Sequence, residues 1–382
     1  MKNLKKIAYI SSQDPRDRNA WSGTQSKMLL ALKKEFNNIE IYGPIPQHKL
    51  IWKLVSKLNS LSIRIFSKKY NKSQNIFKAL YYKFYLTRKI KLSKPDLIFA
   101  PASSMEIVFL KTKVPIIKLE DANFEQLLDY YPNYKGFSKF SIFESKFLSK
   151  LATEKSSKLI FSSDWASEFA SKKYNVLKQN IHTVRFGANI DEVPSKKLIL
   201  NKSFNDQVSL LFLGRDWERK GGDIAYKTLL ILLEKGFDVK LIVCGCNPPY
   251  KHPRLELVPF LDKNIKKDFK IFQNILLQSQ ILFLPTRSEC YGIVFCEAAA
   301  YGLPIVTTNT GAVSELVINN QTGFVLSYNS EPKDYANEII KLIKSPNLLK
   351  QYSLNARRKF EEELNWNVWG KKVKNIFLQT LK

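Results

Sequence analysis

Short apolar runs alternate with amphipathic helices along the whole chain, and this alternation constrains the fold more than any other feature. In the first half, the apolar runs predict strands at 6–12, 39–42, 96–100, 115–119 and 159–161. The second half repeats the scheme, with strands predicted at 210–213, 240–244, 256–258, 281–284, 304–307 and 324–326. Because parallel strands need crossover helices between them, we expect an α/β protein built on two doubly wound parallel sheets.

A polar stretch at 189–207 separates the two halves. It contains Pro194 and shows no sustained apolar periodicity, as is typical of an interdomain linker. We therefore predict an N-terminal Rossmann-like domain at 1–190, a linker at 191–207 and a C-terminal Rossmann-like domain at 208–362. Such sheets bind ligands beyond the carboxyl ends of their strands, so functional residues are expected in the loops that face a cleft between the domains.

The composition excludes several classes of protein. A chain of 382 residues with 45% hydrophobic content can bury two cores. The apolar run 7–10 near its start is too short for a signal-peptide core or a membrane span. Four cysteines and three histidines form no convincing zinc-binding pattern, so we expect no metal site and reduced thiols in a cytoplasmic protein.

A basic segment at 49–94 supplies thirteen Lys or Arg residues, against a net charge of +27 for the chain. There is no acidic residue between Glu40 and Asp96. Apolar residues recur in the segment at helical spacing, as in Leu50, Leu54, Leu58 and Leu61. This pattern favours docking on an anionic membrane surface. A solvated helix face in a lysine-rich chain is the alternative, and nucleic-acid binding is the least favoured interpretation.

The loop 214–222 combines glycines with basic residues directly after the first predicted strand of the second half. Its glycines let the backbone approach a ligand, and the helix that follows presents its N-terminus to an anion. Arg215 and Lys220 could neutralise a diphosphate from two sides. The loop lacks the spacing of a P-loop or a dinucleotide fingerprint, so a capped turn with a solvated charge cluster is an equal alternative.

Two glutamates follow the predicted strand 281–284. Glu289 is expected on the loop and Glu297 about one turn into the next helix. Both could then accept hydrogen bonds from vicinal hydroxyls of a sugar and a ribose. In the alternative interpretation, Glu289 caps the helix and Glu297 is a surface residue.

These residues resemble the signature of glycosyltransferase family 4, retaining enzymes of the GT-B fold that belong to the glycosyl transferases group 1. The resemblance spans roughly 7–326 and implies two Rossmann-like domains with a cleft between them, and a final helix at 363–382 that crosses back to the first domain. It rests on Glu289, Gly292, Glu297-Ala298, Gly302-Leu303-Pro304, Thr310-Gly311 and Glu315, on Gly214-Arg215 and Lys220-Gly221, and on the turn Ser22-Gly23-Thr24.

The resemblance also implies roles for the donor residues. Arg215 and Lys220 would hold the donor diphosphate, Glu297 the ribose and Glu289 the transferred sugar. The helix that begins near Gly292 would stabilise the departing phosphate. We therefore expect no metal ion and no cofactor apart from the nucleotide-sugar co-substrate, whose base the sequence does not identify.

The first half departs from the family pattern at one position. Ser22, Gly23 and Thr24 match the N-terminal glycine-containing loop of the cleft. Many family members have a histidine after a first-domain strand, whereas the stretch 118–124 has none. Asp121 is the candidate for its place, either accepting a hydrogen bond from the sugar or acting as a base toward the acceptor hydroxyl. Helix capping by Asp121 is the alternative.

The resulting hypothesis is a retaining glycosyltransferase that acts on a lipid-linked or cell-envelope glycan. We expect a cytoplasmic protein, held peripherally at the inner face of the plasma membrane by residues 49–94. The alternatives are a glycosyltransferase with a soluble acceptor, and a non-catalytic protein that binds glycan or nucleic acid.

Overall fold

The computed structural model describes residues 5–200 and 207–381, and it divides the chain into two compact units. The first unit comprises Met1–Arg185 with Gly370–Lys382, and the second comprises Phe186–Trp369. The predicted linker 191–207 therefore lies within the second unit. Its residues 201–206 are outside the part of the chain that the structure describes.

The first unit is a six-stranded parallel sheet with helices on its faces. The strand order is β2-β1-β3-β4-β5-β6. In chain order the elements are β1 (Lys6–Ile10), α1 (Thr24–Glu35), β2 (Asn38–Tyr42), α2 (Lys49–Phe66), α3 (Ile76–Ser93), β3 (Leu97–Pro101), α4 (Ser104–Ile107), β4 (Ile116–Glu120), α5 (Phe124–Leu127), α6 (Lys139–Lys155), β5 (Lys158–Phe161), α7 (Asp164–Lys173) and β6 (Ile181–Thr183).

The second unit repeats this architecture, with the strand order β12-β11-β10-β7-β8-β9 and all neighbours parallel. In chain order its elements are α8 (Lys196–Leu200), β7 (Val208–Leu213), α9 (Gly222–Glu234), β8 (Val239–Cys244), β9 (Leu255–Val258), α10 (Lys266–Gln278), β10 (Ile281–Leu284), α11 (Ile293–Ala300), β11 (Ile305–Thr308), α12 (Val313–Leu316), β12 (Gly323–Leu326), α13 (Pro332–Lys344) and α14 (Pro346–Glu362), followed by α15 (Trp366–Thr380), whose residues from Gly370 onward belong to the first unit.

The predicted fold class, two doubly wound parallel sheets, is confirmed. All eleven strands that the apolar runs predicted are present within a few residues of the expected bounds. The reason is that strands such as β3 and β7 are buried along their whole length, which requires continuous apolar sequence. The short strand β6 was missed because its three residues are only partly buried and carry no apolar run.

Helix α6 was also missed, because its buried face is made of small polar residues. Ser141, Ser145 and Ser149 face the interior, together with Leu148 and Ala152. Serines at this spacing let the helix approach the unit closely without an apolar stripe in the sequence. The apolar periodicity that normally identifies a helix is therefore absent from the inward side.

Helix α15 packs on the first unit through an aromatic cluster. The ring of Phe377 lies 5.6 Å from that of Phe36 and 5.3 Å from that of Phe99. The ammonium of Lys374 lies 2.8 Å from the carboxylate of Glu35. Phe377 is fully buried, so the last helix completes the core of the first unit.

The basic segment forms the two helices α2 and α3, as its periodicity predicted. Helix α2 is largely exposed, since Val55 is its one buried residue. Among the described helices, none combines the length and the apolar character needed to cross a bilayer.

Candidate active site

The second sheet reverses its winding between β7 and β10, and the loops after these two strands carry the donor-site candidates. The chain adds β8 and β9 on one side of β7 and then crosses to place β10 on the other side. Ligands of open α/β sheets bind at such a switch point, beyond the carboxyl ends of the strands. The loop after β7 runs to Gly221, and the loop after β10 runs to Gly292.

Arginine side chains join the two loops. The guanidinium of Arg219 donates to the carbonyl oxygen of Ser288 over 2.8 Å, and the backbone N–H of Arg287 donates to the carbonyl oxygen of Arg219. Arg287 also makes a bidentate pair with Asp223, at 2.7 and 2.8 Å. Hydrogen bonding from Arg287 lowers the pKa of Asp223. These contacts hold the two loops together.

Lys220 and Glu289 form a buried ion pair across the switch point. Lys220 is 5% exposed and Glu289 7% exposed, and the Arg219 guanidinium lies 3.8 Å from the same carboxylate oxygen of Glu289. Burial lowers the pKa of Lys220, and the charge of Glu289 opposes that shift. Lys220 is thus a desolvated cation, so the alternative interpretation of a solvated charge cluster is wrong for this residue.

Glu297 is buried on α11, with an exposure of 1%, so the alternative that makes it a surface residue is also wrong. Its carboxylate accepts a hydrogen bond of 2.5 Å from the ammonium of Lys263. That ammonium lies 4.4 Å from the ring centre of Phe272. Arg215 is exposed and its guanidinium stacks 4.0 Å from the ring of Phe260. Lys263 and Phe260 therefore extend the site beyond the predicted residues.

Two glycines allow the close approaches on which this site depends. Gly292 caps α11 with a φ of 94°, and a Cβ there would meet the ring of Phe295 at 2.4 Å. Gly221 has a φ of 75°, and a Cβ there would lie 1.9 Å from the carbonyl oxygen of Pro285. Side chains are strained at such φ values, and here they would also collide with neighbours. The N-terminus of α11 is consequently presented beside Glu289 and Lys220.

The first unit holds a cavity of about 440 Å³ at its own switch point, between β1 and β3. Asp121 lines this cavity. The candidate turn Ser22-Gly23-Thr24 lies between two further lining residues, Trp21 and Gln25. Trp21, Ser22 and Gly23 all adopt left-handed backbone conformations, and α1 begins at Thr24. The N-cap residue of α5 is Asn123, two residues after Asp121.

Buried charges line the wall of the cavity. Glu106 is 4% exposed, and desolvation raises the pKa of its carboxyl to about 7, opposed by a hydrogen bond with Ser12 and the charge of Lys78. Burial lowers the pKa of Lys78, whose ammonium lies 3.8 Å from the ring centre of Trp52. Glu120 accepts a hydrogen bond of 2.6 Å from Lys118. The wall therefore offers carboxyl groups to a ligand, one of which can be neutral near pH 7.

Gln74 provides an acceptor that the protein leaves unused. Its Oε1 is buried and has no hydrogen-bond partner in the structure, although Gln74 lines the cavity. A buried acceptor without a donor costs about 1–3 kcal/mol. Tyr82, Phe124 and Tyr134 add aromatic surface to the same wall. Hydrogen-bonding groups beside aromatic rings match a ligand that has hydroxyls on one edge and apolar faces.

The structure gathers the predicted site residues in two places. Arg215, Lys220, Glu289, Gly292 and Glu297 lie at the switch point of the second unit, while Asp121 and the turn 22–24 border the cavity of the first. Sequence reasoning missed a further set of charged residues at these places. Arg219 stood next to a predicted residue, whereas the others had no motif to indicate them: Lys78, Glu106, Asp223, Lys263 and Arg287.

Residues 196–359 match the family model described as glycosyl transferases group 1. The matched span contains the loops after β7 and β10 with all five donor-site candidates. The resemblance to the glycosyl transferases group 1 is confirmed over that span, and the narrower resemblance to glycosyltransferase family 4 stays a prediction.

Two curated relatives match parts of the chain. A capsular polysaccharide biosynthesis glycosyltransferase of Staphylococcus aureus is 25% identical over 194 residues, which cover 48% of this chain and 49% of the relative. An uncharacterised glycosyltransferase of Methanocaldococcus jannaschii is 28% identical over 252 residues, which cover 63% of each chain. The chain thus spans about half to two thirds of the length of the curated relatives it matches.

A solved structure matches over nearly the whole length. The sucrose-phosphate synthase of Thermosynechococcus elongatus superposes with a TM-score of 0.68 at 14% identity, covering 98% of both chains. At this identity the likeness concerns the fold alone, which is the two-sheet α/β architecture expected of GT-B proteins.

Replacing either partner of the Lys220–Glu289 pair should destabilise the protein unequally. Glu289→Gln leaves a buried ammonium without its carboxylate, so we expect a loss of about 3–5 kcal/mol in the free energy of unfolding. Lys220→Met should cost less, because Arg219 remains near Glu289. Urea unfolding of both single variants and the double variant measures this, and the double variant should cost less than the sum. The coupling would be contradicted if the two single variants lost equal free energies of unfolding and the double variant lost their sum.

Glu106 should make stability depend on pH. The folded-state pKa of about 7 exceeds the ordinary value of 4.5, so the folded chain keeps a proton that the unfolded chain has lost. Stability should therefore fall as the pH rises from 4.5 to 7. Glu106→Gln should remove this fall. The free energy of unfolding of the variant, minus that of wild type, should be larger at pH 8 than at pH 5 by on the order of 3 kcal/mol. Urea unfolding at both pH values tests this, with exposed Glu168→Gln as the control; parallel behaviour of wild type and Glu106→Gln would refute it.

Proposed function

We propose that this protein transfers a sugar from a nucleoside-diphosphate sugar to a glycan acceptor, with retention of anomeric configuration. The observation that carries the proposal is the convergence of Lys220, Glu289 and the N-terminus of α11 at the switch point of the second unit. The cation and the helix terminus match the diphosphate, which gains charge as it leaves, and the carboxylate matches the hydroxyls of the sugar. The family match over 196–359 supports the same chemistry.

Each donor-site residue has a distinct part in this proposal. Lys220 and Arg215 neutralise the diphosphate, and Glu297 accepts hydrogen bonds from the ribose. Glu289 accepts them from hydroxyls of the transferred sugar. In the structure Lys220 is paired with Glu289 and Lys263 with Glu297, so these ammonium groups hold both carboxylates in place until donor hydroxyls and phosphates share the contacts.

Neutralisation of the leaving group is the proposed source of catalysis. A departing nucleoside diphosphate gains negative charge, which the buried ammonium of Lys220 and backbone N–H groups at a helix terminus stabilise more strongly in the transition state than in the ground state. We propose that these groups take the part that a divalent cation has in other transferases, so activity should persist in the presence of a chelator. Analysis of the product anomer by NMR would test retention.

The acceptor is proposed to bind in the cavity of the first unit. Its wall combines Asp121 and Glu106 with the unused acceptor atom of Gln74 and with aromatic rings. These groups suit a polyhydroxylated ring. Asp121 is then placed to accept the proton of the acceptor hydroxyl or a hydrogen bond from it.

The acceptor class we propose is a lipid-linked or cell-envelope glycan, used at the cytoplasmic face of the membrane. The basic helices α2 and α3 belong to the same unit as the cavity. A relative named for capsular polysaccharide biosynthesis supports an envelope product. Basic residues close to an anionic membrane each contribute about 1 kcal/mol of attraction, so such a unit would keep a lipid-anchored acceptor within reach.

Nucleotide binding to the second unit can be tested by thermal shift. One of UDP, GDP and ADP, at about 1 mM without added metal, should raise the melting temperature, since a ligand at about 100 times its Kd stabilises the folded state by about 2.7 kcal/mol. Glu297→Ala should weaken that shift because the ribose loses its acceptor. The control is Glu234→Ala, an exposed glutamate at the end of α9, on the edge opposite to the strand carboxyl ends. Absence of any shift with all three nucleotides would contradict the donor site.

Asp121→Asn should reduce transfer without affecting nucleotide binding. If Asp121 accepts the acceptor proton, kcat should fall about 100-fold or more. The thermal shift by the nucleotide should be unchanged, because Asp121 lies in the other unit. The matched control is Asp96→Asn. Asp96 lies just before β3, at the amino ends of the strands, away from the cavity. A variant with wild-type kcat and KM would remove Asp121 from the mechanism.

A further inference from the structure

Helix α6 turns a row of phenylalanines to the solvent. Phe140, Phe143 and Phe147 are 68%, 69% and 51% exposed. At about 100° per residue they fall within about 60° of arc on the side opposite to the buried serines. The rings of Phe143 and Phe147 stack at 6.4 Å. Three exposed aromatic rings in one stripe form an apolar patch of the kind that marks an interaction surface.

Helix α2 carries a second exposed apolar stripe. Leu50, Leu54, Leu61 and Ile65 are all exposed, and their spacing places them within about 60° of arc. Val55, the buried residue of the helix, lies outside that arc. The stripe is therefore separate from the face that packs on the unit.

The segment between α2 and α3 connects α2 to α6. Lys69 pairs with Phe137 in a parallel β-bridge just before α6 begins. The hydroxyl of Tyr70 donates to Glu144 on α6 over 2.6 Å, and the backbone N–H of Tyr70 donates to Asn59 on α2 over 3.0 Å. The carboxyl half of α2 is thus held to the amino half of α6, and the two stripes belong to neighbouring helices of one unit.

Exposed cations lie along one flank of each stripe. On α2, Lys53, Lys57 and Arg64 are exposed and fall on one flank of the leucine stripe. On α6, Lys139 and Lys150 are exposed and fall on one flank of the phenylalanine stripe. Apolar stripes bordered by cations complement a surface with anionic groups outside and hydrocarbon beneath, which is the cross-section of an anionic bilayer leaflet.

We propose that Phe140, Phe143 and Phe147, together with the leucine stripe of α2, insert into the interfacial layer of an anionic membrane. The proposal rests on the membrane location in the proposed function and deepens it. Docking by the basic helices alone would be electrostatic and would vanish at high salt. Aromatic insertion adds apolar burial, which salt does not screen.

Vesicle flotation of the full chain separates these two contributions. The vesicles contain equal amounts of phosphatidylcholine and phosphatidylglycerol, and binding is measured at about 0.1 M and about 0.5 M NaCl, where the screening length falls below about 5 Å. Wild type should still float at the higher salt. The triple variant Phe140→Ser, Phe143→Ser, Phe147→Ser should bind at least about tenfold more weakly there.

The controls address folding and charge. The variant Leu177→Ser, Leu198→Ser, Leu354→Ser removes exposed apolar residues from other helices and loops, and it should float like wild type. Charge removal by Lys53→Gln, Lys57→Gln and Arg64→Gln should weaken flotation mainly at low salt. The nucleotide-induced thermal shift of the second unit should be the same in every variant, which shows that the proposed function has not failed with the membrane contact.

Three outcomes would overturn the inference. If the phenylalanine variant floats like wild type at high salt, the rings do not insert. If wild type does not float at any salt concentration, the proposed membrane location is wrong as well. The nucleotide-induced thermal shift then still tests the donor site independently. If light scattering shows wild-type dimers that the phenylalanine variant dissociates, and flotation is unaffected, the occupant of the patch is a second copy of the chain.

Discussion

The buried pair of Lys220 and Glu289 is the interaction on which the second unit's site depends. An ammonium removed from water is stable only beside an anion, so the loop after β7 must meet the loop after β10. Glycines at the ends of both loops permit that contact. The ammonium of Lys220 and the carboxylate of Glu289 hold the loops together, and they are also the groups that a phosphorylated sugar would need. Each of these charges can therefore contact either its protein partner or a ligand.

The fold was predictable because most of its inner strands, such as β3, β7 and β10, are buried along their whole length. Continuous apolar sequence leaves little choice of structure, and the repeated order of strands and helices then defines two doubly wound sheets. Helix α6 was not predictable on the same basis. Serines face inward and phenylalanines face outward, which reverses the usual distribution of polar and apolar residues on a helix. Apolar periodicity therefore does not identify the buried face of α6.

The candidate site was predictable where charges follow strands within a known motif. Lys220, Glu289 and Glu297 satisfied both conditions. Lys263 and Glu106 also follow strands, but no known motif contains them. Lys263 lies in the loop after the edge strand β9, and Glu106 lies in the four-residue helix after β3. Their positions depend on which loops the topology brings together, and this information is distributed over the whole sheet rather than contained in a local pattern.

Helix α15 has a consequence for the synthesis of the chain. Its first residues belong to the second unit, whereas the residues from Gly370 onward complete the first, where Phe377 fills the space between Phe36 and Phe99. The first half leaves the ribosome long before this helix exists. Its core therefore stays incomplete until α15 has been synthesised, and a fragment that stops at Arg185 would expose the apolar surface that Phe377 covers.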